Sequence, residues 1–186
     1  TSQLPSAEHL GMPIRQNARA NVDASTARRA FNLDAETPTL LITAGSQGAR
    51  SLNAMIPALL EMPAMREVLR HWQVLHLAGE NDTESLEAAY AQAEVRARVK
   101  TYCHEMGLAW RAADLAISRA GAAAVGEIWQ NAVPTVFMPY PYHRDEHQRH
   151  NAQPLVDVGG AVLAKDLIDP DPNAEQLNHQ LGPLLD

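Results

Sequence analysis

The sequence has few of the features that mark secreted, membrane-spanning or nucleic-acid-binding proteins. It contains one cysteine, Cys103, so no internal disulfide can form, and the chain fits a reducing compartment. No apolar run approaches the ~20 residues of a membrane-spanning helix, and no signal peptide is recognisable. The net charge of −7 argues against a general nucleic-acid-binding surface. A small anionic ligand remains compatible with this charge, because such a ligand responds to the local field.

The length of 186 residues is enough for one well-buried domain. Residues 1–20 carry two prolines and little periodicity, which indicates an arm or interdomain linker. Residues 21–186 are then the domain itself. Because the chain begins at Thr1 rather than at a methionine, we expect part of the protein to precede it.

Apolar runs of strand length alternate with helical patterns along the rest of the chain. This alternation predicts an α/β fold with a doubly wound, Rossmann-like parallel sheet that is covered on both faces. Asp23 is placed to cap a first short helix that runs to Phe31, and Pro57 is expected to kink the second helix or end it early. The predicted strands are 39–43, 73–77, 99–102, 114–118, 135–138 and 161–163. The predicted longer helices are 49–62, 83–96, 104–113, 122–131, 147–158 and 173–185.

Irregular, polar or glycine-bearing segments follow four of these strands. They are residues 45–48, 102–106, 119–125 and 139–148. In open parallel sheets, ligands bind outside the carboxyl ends of the strands, and those ends lie at one edge. We therefore expect the four segments to share one binding site.

The segment AGSQGAR lies between the first strand and the next helix. Gly45 and Gly48 let the backbone approach a ligand closely, and Ser46 with the free N–H groups of the helix start offers donors to an anion. The alternative is a plain strand-to-helix turn. The segment is not a Walker loop, because no Gly-Lys-Ser/Thr follows, and its glycine spacing is not the dinucleotide fingerprint.

The segment SRAGAAAVGEIWQ is a second small-residue turn that leads into a helix. Gly121, with alanines on both sides, leaves space for a ligand at the helix N-terminus. Glu127 is either a solvated helix carboxylate or an acceptor for both hydroxyls of a ribose diol. Arg119 pairs with a phosphate or with a neighbouring carboxylate, and Asp114 is the favoured partner.

The segment HRDEHQRHN allows a metal site as an alternative. His143, His147 and His150 have the spacing i, i+4, i+7, which on one helix would bring three zinc ligands together. Two preceding prolines instead place His143 in the loop and make Asp145 the better helix cap. We favour hydrogen bonding of His147 and Gln148 to a polar ligand over metal binding.

Three motifs together resemble the C-terminal, donor-binding domain of the MurG family. They are TAGSQGARSLN, SRAGA followed by GEI, and PYPYHRDEHQRHNA, and GMPIR at residues 11–15 is similar to the family's Gly-Asn-Pro-Val-Arg at the domain junction. The family comprises N-acetylglucosaminyltransferases that convert lipid I to lipid II in peptidoglycan synthesis. The resemblance covers about residues 11–160 and implies one half of a two-domain, GT-B type glycosyltransferase, without its N-terminal acceptor domain.

The resemblance also implies which residues bind the donor, UDP-N-acetylglucosamine. Arg15 and the glycine turn would face the diphosphate, and the backbone at Cys103 would read the uracil with Met106 nearby. Glu127 would hold the ribose hydroxyls, and the start of the helix after the fifth strand would contact the sugar. The implied donor-binding residues are Arg15, Gly45, Ser46, Gln47, Gly48, Cys103, Met106, Gly121, Ala122, Glu127, His147, Gln148 and Asn151.

The chain departs from the family pattern at three alanines. Ala44 replaces the first glycine of the turn, Ala120 replaces a serine, and Ala124 stands where a threonine hydroxyl often helps to bind phosphate. The loss of that hydroxyl at Ala124 could weaken donor affinity.

The chemistry implied by the resemblance is sugar transfer from UDP-N-acetylglucosamine to lipid I with inversion. Helix N-termini and Arg15 would stabilise the leaving diphosphate, so no metal and no cofactor are expected. The base and the lipid-acceptor surface would belong to the absent N-terminal domain. The full-length protein would then be cytoplasmic and peripheral on the cytoplasmic face of the plasma membrane, with no nucleic-acid partner.

Two other functions remain open. One is a UDP-N-acetylglucosamine 2-epimerase, which shares the two-domain fold but matches the glycine and histidine pattern less well. The other is a non-catalytic nucleotide-sugar-binding module, which Ala124 favours.

Overall fold

The fold is a six-stranded parallel sheet with helices on both faces, as the sequence predicts. The computed structural model describes residues 13–43, 50–142 and 146–185. The strands, in the spatial order β3-β2-β1-β4-β5-β6, are β1 Thr39–Thr43, β2 Gln73–Leu77, β3 Arg96–Lys100, β4 Leu115–Ser118, β5 Thr135–Phe137 and β6 Ala161–Leu163. The helices are α1 Ala24–Ala30, α2 Arg50–Glu61, α3 Pro63–Leu69, α4 Thr83–Gln92, α5 Met106–Ala112, α6 Ala122–Asn131, α7 His147–Asp157 and α8 Pro170–Leu185, and a 3₁₀ turn spans Gln16–Ala18.

Strand β1 lies at the centre of the sheet, where the strand order reverses. Leu41 is in register with Leu75 of β2 on one side and with Ala116 of β4 on the other. In doubly wound sheets, the crevice at the carboxyl ends of the strands at this reversal is the usual ligand site. The strand order therefore makes the carboxyl ends of β1 and β4 the candidate location of a ligand site.

Alternate residues of β1 face the two halves of the hydrophobic core. Leu40 and Ile42 pack with residues of α2, α3, α4 and α8, whereas Leu41 packs with residues of α1, α5, α6 and α7. All five residues of β1 are buried. This double burial explains why the strand is a continuous apolar run rather than an alternating one.

Several predicted boundaries were wrong, each for a local reason. Strand β3 begins and ends earlier than the predicted 99–102, because it is an edge strand whose residues alternate between exposed and half-buried and include three basic side chains. The short helix α3 was not predicted; it begins at Pro63, a favourable first helical residue. Pro57 does not end α2, which continues to Glu61. Asp23 caps α1 as predicted, since its carboxylate accepts a 2.7 Å hydrogen bond from the Thr26 N–H.

The described part of the predicted arm lies against the domain. Ala18 is fully buried, and its carbonyl accepts a 2.8 Å hydrogen bond from the Asn131 side chain on α6. Gly107 lets this segment cross α5 closely, because a Cβ there would lie 2.6 Å from the Arg19 carbonyl oxygen. The segment that carries Arg15 is thereby held next to α5 and α6. None of the helices in the described part of the chain is long and apolar enough to cross a bilayer.

Candidate functional site

The N-terminus of α6 opens onto the carboxyl edge of the sheet, directly after β4. Gly121 is the N-cap, with φ −63° and ψ 144°, and no side chain caps the helix. A Cβ added at Gly121 would meet no atom within 4 Å, so the space beside it is open. The first N–H groups of such a helix lack intrahelical partners and, with the helix dipole, attract an anion.

Glu127 lies on α6 and is buried, with 3% of its surface exposed. The solvated-carboxylate interpretation is therefore wrong. Its Oε2 accepts a 3.0 Å hydrogen bond from the indole N–H of Trp110 on α5. Its Oε1 accepts bonds from Arg15, at 2.8 Å from Nη2 and 3.2 Å from Nε. These charged and polar partners compensate for the burial of the carboxylate.

Arg15 reaches Glu127 from the segment that precedes the domain. Its side chain remains 58% exposed although it holds a buried carboxylate. The hydrogen bond and charge of Glu127 raise the pKa of Arg15 above its ordinary value. The predicted role of Arg15, contact with a diphosphate, would require the guanidinium to leave or share Glu127.

The two residues implied for uracil recognition lie on the loop after β3 and at the start of α5. The Cys103 side chain is buried in the core, and this burial raises the pKa of its thiol. Within the described residues, the backbone N–H and C=O of Cys103 have no hydrogen-bond partner. Met106 is the first residue of α5 and packs against the same core.

The three residues implied for sugar recognition share one face at the start of α7. Asn151 donates a 3.1 Å hydrogen bond to the Ala120 carbonyl, which ties α7 to the turn before α6. Gln148 accepts a 2.9 Å hydrogen bond from the Tyr140 N–H, so it orders the loop after β5. His147 is the first residue of α7 and is half-buried. Glu146 is at the N-cap position of α7, in a left-handed conformation, and its side chain makes no cap hydrogen bond. The predicted cap, Asp145, lies outside the described residues.

A groove of about 420 Å³ adjoins this helix start. The loop after β5, the first turn of α7 and the segment after β6 line it, with Tyr140, Gln148 and Lys165 among the lining residues. The groove is thus next to the face that carries Gln148 and Asn151, and it offers space for a polar ligand of sugar size.

Arg119 pairs with Asp166 and not with Asp114, which corrects the prediction. Arg119 Nη2 lies 2.7 Å from Asp166 Oδ2, and the same nitrogen donates to Ser51 Oγ at 2.7 Å. Asp114 lies at the opposite end of β4, where it pairs with Arg28 at 2.6 Å. Adjacency in sequence misled the prediction, because a strand separates the residue before β4 from the residue after it.

Asp166 is the centre of a buried network that the sequence did not indicate. It also accepts hydrogen bonds from the Asn173 side chain and the Ile168 N–H. Burial alone would raise the pKa of Asp166, but the hydrogen bonds of Ser51, Asn173, Ile168 and Arg119 outweigh it and lower the pKa below its ordinary value. The network joins the first turn of α2 to the ends of β4 and β6, so it fixes one side of the crevice.

His76 forms a second buried network, which joins strand β2 to helices α2 and α4. Its Nε2 lies 3.1 Å from Asn53 Oδ1, and its Nδ1 lies 3.1 Å from the Tyr90 hydroxyl. Because the Asn53 amide nitrogen already donates to the Ala78 carbonyl and to Asp82, the imidazole donates from Nε2 and accepts at Nδ1. Burial lowers the pKa of His76 to about 4, against a smaller opposing effect of the Asp82 charge.

Some predicted site residues lie outside the described part of the chain. They are Gly45, Ser46, Gln47, Gly48 and, in the metal alternative, His143. Across residues 13–43, 50–142 and 146–185, no three histidine, cysteine, aspartate or glutamate side chains are grouped to hold a metal ion. His147 and His150 both lie on α7, where His150 is exposed.

The strand order, the open helix N-terminus and the buried carboxylate at the carboxyl edge are typical of a nucleotide-binding domain of the doubly wound α/β class. The chain belongs to the glycosyltransferase family 28 C-terminal domain family, whose model matches residues 39–183. This match confirms the resemblance found in the sequence motifs.

Named relatives agree with this family. The UDP-N-acetylglucosamine–N-acetylmuramyl-(pentapeptide) pyrophosphoryl-undecaprenol N-acetylglucosamine transferase of Acidothermus cellulolyticus is 40% identical over 171 residues, which cover 88% of this chain and 45% of the relative. The enzyme of the same name from Paenarthrobacter aurescens is 38% identical over 193 residues, covering 99% of this chain and 48% of the relative.

Solved structures show the same fold. The crystal structure of Acinetobacter baumannii MurG matches 100% of this chain and 51% of its own, with a TM-score of 0.68 and 28% identity. The solution structure of ALG13 covers 78% of this chain and 87% of its own, with a TM-score of 0.53 and 13% identity, a likeness of fold alone. The chain spans about half the length of the transferases it matches.

Proposed function

We propose that this chain is the donor-binding half of an inverting N-acetylglucosaminyltransferase that adds N-acetylglucosamine to lipid I in peptidoglycan synthesis. The observation that carries the proposal is the buried carboxylate of Glu127, on the helix whose open N-terminus faces the reversal point of the sheet. A ribose diol and a diphosphate are the two groups that such a carboxylate and such a helix start would recognise together.

The diphosphate would lie at the first turn of α6. Gly121 and Ala122 supply backbone N–H groups there, and the space beside Gly121 is open. Orphan N–H groups and the helix dipole stabilise the negative charge that develops on a leaving diphosphate. The third residue of α6, Ala124, contributes no hydroxyl to this site.

The uracil and the sugar would lie on opposite sides of this helix start. The backbone groups of Cys103, beside Met106, have no hydrogen-bond partner among the described residues and are suited to the edge of a planar base. Asn151 contacts the turn before α6, Gln148 lines the neighbouring groove, and His147 is the first residue of the same helix. Such groups would distinguish sugar hydroxyls by hydrogen bonding.

The base and the lipid acceptor site would be supplied by an N-terminal half. General base catalysis needs a group within hydrogen-bond reach of the attacking hydroxyl. A single sheet edge that binds the donor provides no surface that binds and orients the acceptor. In the complete protein we expect a location on the cytoplasmic face of the plasma membrane, with UDP-N-acetylglucosamine and lipid I as substrates and no cofactor.

A non-catalytic nucleotide-sugar-binding module is the second candidate. Ala124 favours it, because the lost hydroxyl would weaken phosphate binding while the Glu127 site stays intact. The 2-epimerase interpretation has less support, because the relatives named above are transferases.

Calorimetric titration of the 186-residue chain with UDP, UDP-N-acetylglucosamine and NAD tests the proposal. We expect weak binding of both uridine nucleotides, since the titrated chain does not include the proposed N-terminal half, and weaker binding of NAD. A preference for NAD, or no uridine nucleotide binding at millimolar concentration, would contradict it.

A transfer assay separates the two candidates. Labelled N-acetylglucosamine is offered to a lipid I analogue by this chain alone and by the protein with its N-terminal half. We expect turnover only with the N-terminal half present. Binding without turnover in either form would favour the non-catalytic module, and full turnover by the chain alone would place the base within these 186 residues.

A further inference from the structure

Trp110 is the only described residue other than Arg15 that holds the carboxylate of Glu127. It lies on α5, is 1% exposed, and packs in the same core cluster as Ile128, the residue after Glu127. The indole N–H is the one polar group of its side chain, and it donates to Glu127 Oε2 at 3.0 Å. Because a large, fully packed ring cannot shift easily, this donor is fixed in space.

The two partners of Glu127 differ in mobility. Trp110 is held by the core, whereas Arg15 is mostly exposed and comes from the segment before α1. An exposed arginine loses little on exchanging a carboxylate for water, but a buried indole N–H without an acceptor is costly. A ligand can therefore displace Arg15 far more easily than it can displace Trp110.

The capacity of the carboxylate shows which bonds a ligand must replace. An ionised carboxylate has about four acceptor positions. Trp110 uses one on Oε2, and Arg15 uses two on Oε1 through Nε and Nη2. A vicinal diol donates two hydrogen bonds, so Arg15 must give up at least one of its bonds, while the bond of Trp110 can remain.

We propose that Trp110 is a positioning residue, which fixes the carboxylate of Glu127 in the orientation that a ribose diol requires, and that Arg15 and the diol compete for the same carboxylate oxygens. This inference rests on the proposed function, since it assumes a ribose-containing donor. It adds a residue that acts through Glu127 without touching the ligand, and an exchange in which the diol replaces Arg15.

The replacement of Trp110 by phenylalanine tests the inference. Trp110→Phe keeps an aromatic ring but removes the N–H, so Glu127 is free to rotate or to follow Arg15. The measurement is the ratio of calorimetric affinities for UDP and 2′-deoxy-UDP. We expect about a tenfold or greater preference for UDP in the unaltered chain, most of which Trp110→Phe removes. Affinity for inorganic pyrophosphate should stay unchanged.

Trp72→Phe is the matched control. Trp72 also donates its indole N–H to a single acceptor, the Leu185 carbonyl at 3.0 Å, on the other face of the sheet. Its loss should lower the melting temperature without changing the UDP to 2′-deoxy-UDP ratio. If Trp110→Phe likewise lowers only the melting temperature and keeps the ratio, Trp110 is structural and the inference is wrong.

A measurement on the unaltered chain covers the case in which Trp110→Phe does not fold. The chain has three tryptophans, so its nitrogen-15 spectrum has three indole N–H signals. We expect UDP to shift the Trp110 signal and pyrophosphate to leave it in place, while the Trp72 signal responds to neither. A Trp110 signal that ignores UDP in a chain that binds UDP would overturn the inference, whereas a chain that binds no uridine nucleotide would overturn the proposed function itself.

Discussion

The guanidinium of Arg119 and the carboxylate of Asp166 form a buried ion pair at 2.7 Å, with side-chain exposures of 8% and 0%. The pair joins the end of β4 to the segment after β6, and Ser51 at the start of α2 completes it with hydrogen bonds to both. The carboxyl edge of the sheet is thus fixed by charge as well as by apolar packing.

Removing one partner of this pair should be strongly destabilising. Asp166→Ala leaves the buried Arg119 guanidinium uncompensated, and we expect the free energy of unfolding to fall by about 3–5 kcal/mol. Urea unfolding followed by circular dichroism measures it. The matched control is Glu67→Ala, which breaks the exposed Arg70–Glu67 pair and should cost about 1 kcal/mol or less. Equal losses of unfolding free energy in both variants would show that burial does not increase the contribution of the Arg119–Asp166 pair to stability.

The replacement of Arg15 should affect nucleoside and nucleotide binding differently. In Arg15→Ala the Oε1 of Glu127 loses its partner and Trp110 still holds Oε2, so uridine should bind more tightly. UDP should in addition lose the charge that Arg15 offers to its diphosphate. We therefore expect the UDP to uridine affinity ratio to fall. Arg29→Ala, an exposed arginine on α1, is the control and should leave the ratio unchanged. A loss of the same factor for both ligands would exclude competition between Arg15 and the ribose.

Glu127→Gln should weaken UDP binding specifically through the ribose. The amide keeps an acceptor for Trp110 but removes the charge, and hydrogen bonds to a charged group contribute about 1.5–3 kcal/mol each. We expect UDP affinity to fall by about tenfold or more, with pyrophosphate affinity unchanged. The exposed Glu87→Gln variant on α4 is the control and should leave UDP affinity unchanged. Unchanged UDP affinity in Glu127→Gln would remove the carboxylate from the ligand site.

Replacement by alanine should lower stability at Gly107 and ligand affinity at Gly121. In Gly107→Ala the new methyl group meets the backbone of Arg19, and we expect a loss of about 1–3 kcal/mol in the free energy of unfolding. In Gly121→Ala the methyl group enters open space at a φ of −63°, so stability should change by less than about 0.5 kcal/mol. UDP affinity should nevertheless fall, because that space is the proposed approach to the helix N-terminus. Full UDP affinity in Gly121→Ala would place the diphosphate elsewhere.

His76 should make stability depend on pH in the mildly acidic range. Its pKa is lowered from 6.5 to about 4, so the unfolded chain binds the proton more readily than the folded chain. Above pH 6.5 this residue does not lower the free energy of unfolding. As the pH falls from 6.5 to 4, protonation of the unfolded chain lowers the free energy of unfolding by about 3 kcal/mol in total. Urea unfolding between pH 7 and 4 measures the slope. His76→Gln should remove most of this slope and the exposed His71→Gln should keep it; a wild-type slope in His76→Gln would contradict the assignment.

The central strands and the site helix were predictable because their sequence patterns reflect local burial. Strands β1, β2 and β6 and helix α6 have the predicted bounds. The bounds of strand β3 were predicted wrongly, because an edge strand rich in arginine and lysine lacks the apolar run that marks a buried strand. The open N-terminus of α6 at Gly121 was likewise predicted, since a glycine at the start of a helix is a local feature of the sequence.

The partners of the charged side chains were not predictable, because they come from distant parts of the chain. The sequence presents Glu127 as one carboxylate on a helix of small residues, and its burial depends on Trp110 and Arg15. Asp166 lies in no motif, yet it holds Arg119. The nearest carboxylate in sequence, Asp114, was a poor guide because a whole strand lies between them.

The position of β1 in the sheet has a consequence for how the chain folds. Residues of β1, β2 and β3 are contiguous in the chain and can pair early, whereas β4 pairs with the other side of β1 only after the segment through Ser118 is available. During synthesis, the edge of β1 that will pair with β4 therefore has no hydrogen-bonded neighbour. Because this edge includes the apolar residues Leu40 to Ile42, it is a site at which other chains can associate. Docking of β4 closes this edge, and the Thr39 N–H then gains the Asp114 carboxylate at 2.7 Å. The slow step in refolding should accordingly be the pairing of β4 with β1, which joins the two half-sheets. Association between chains competes with this step and should increase with protein concentration.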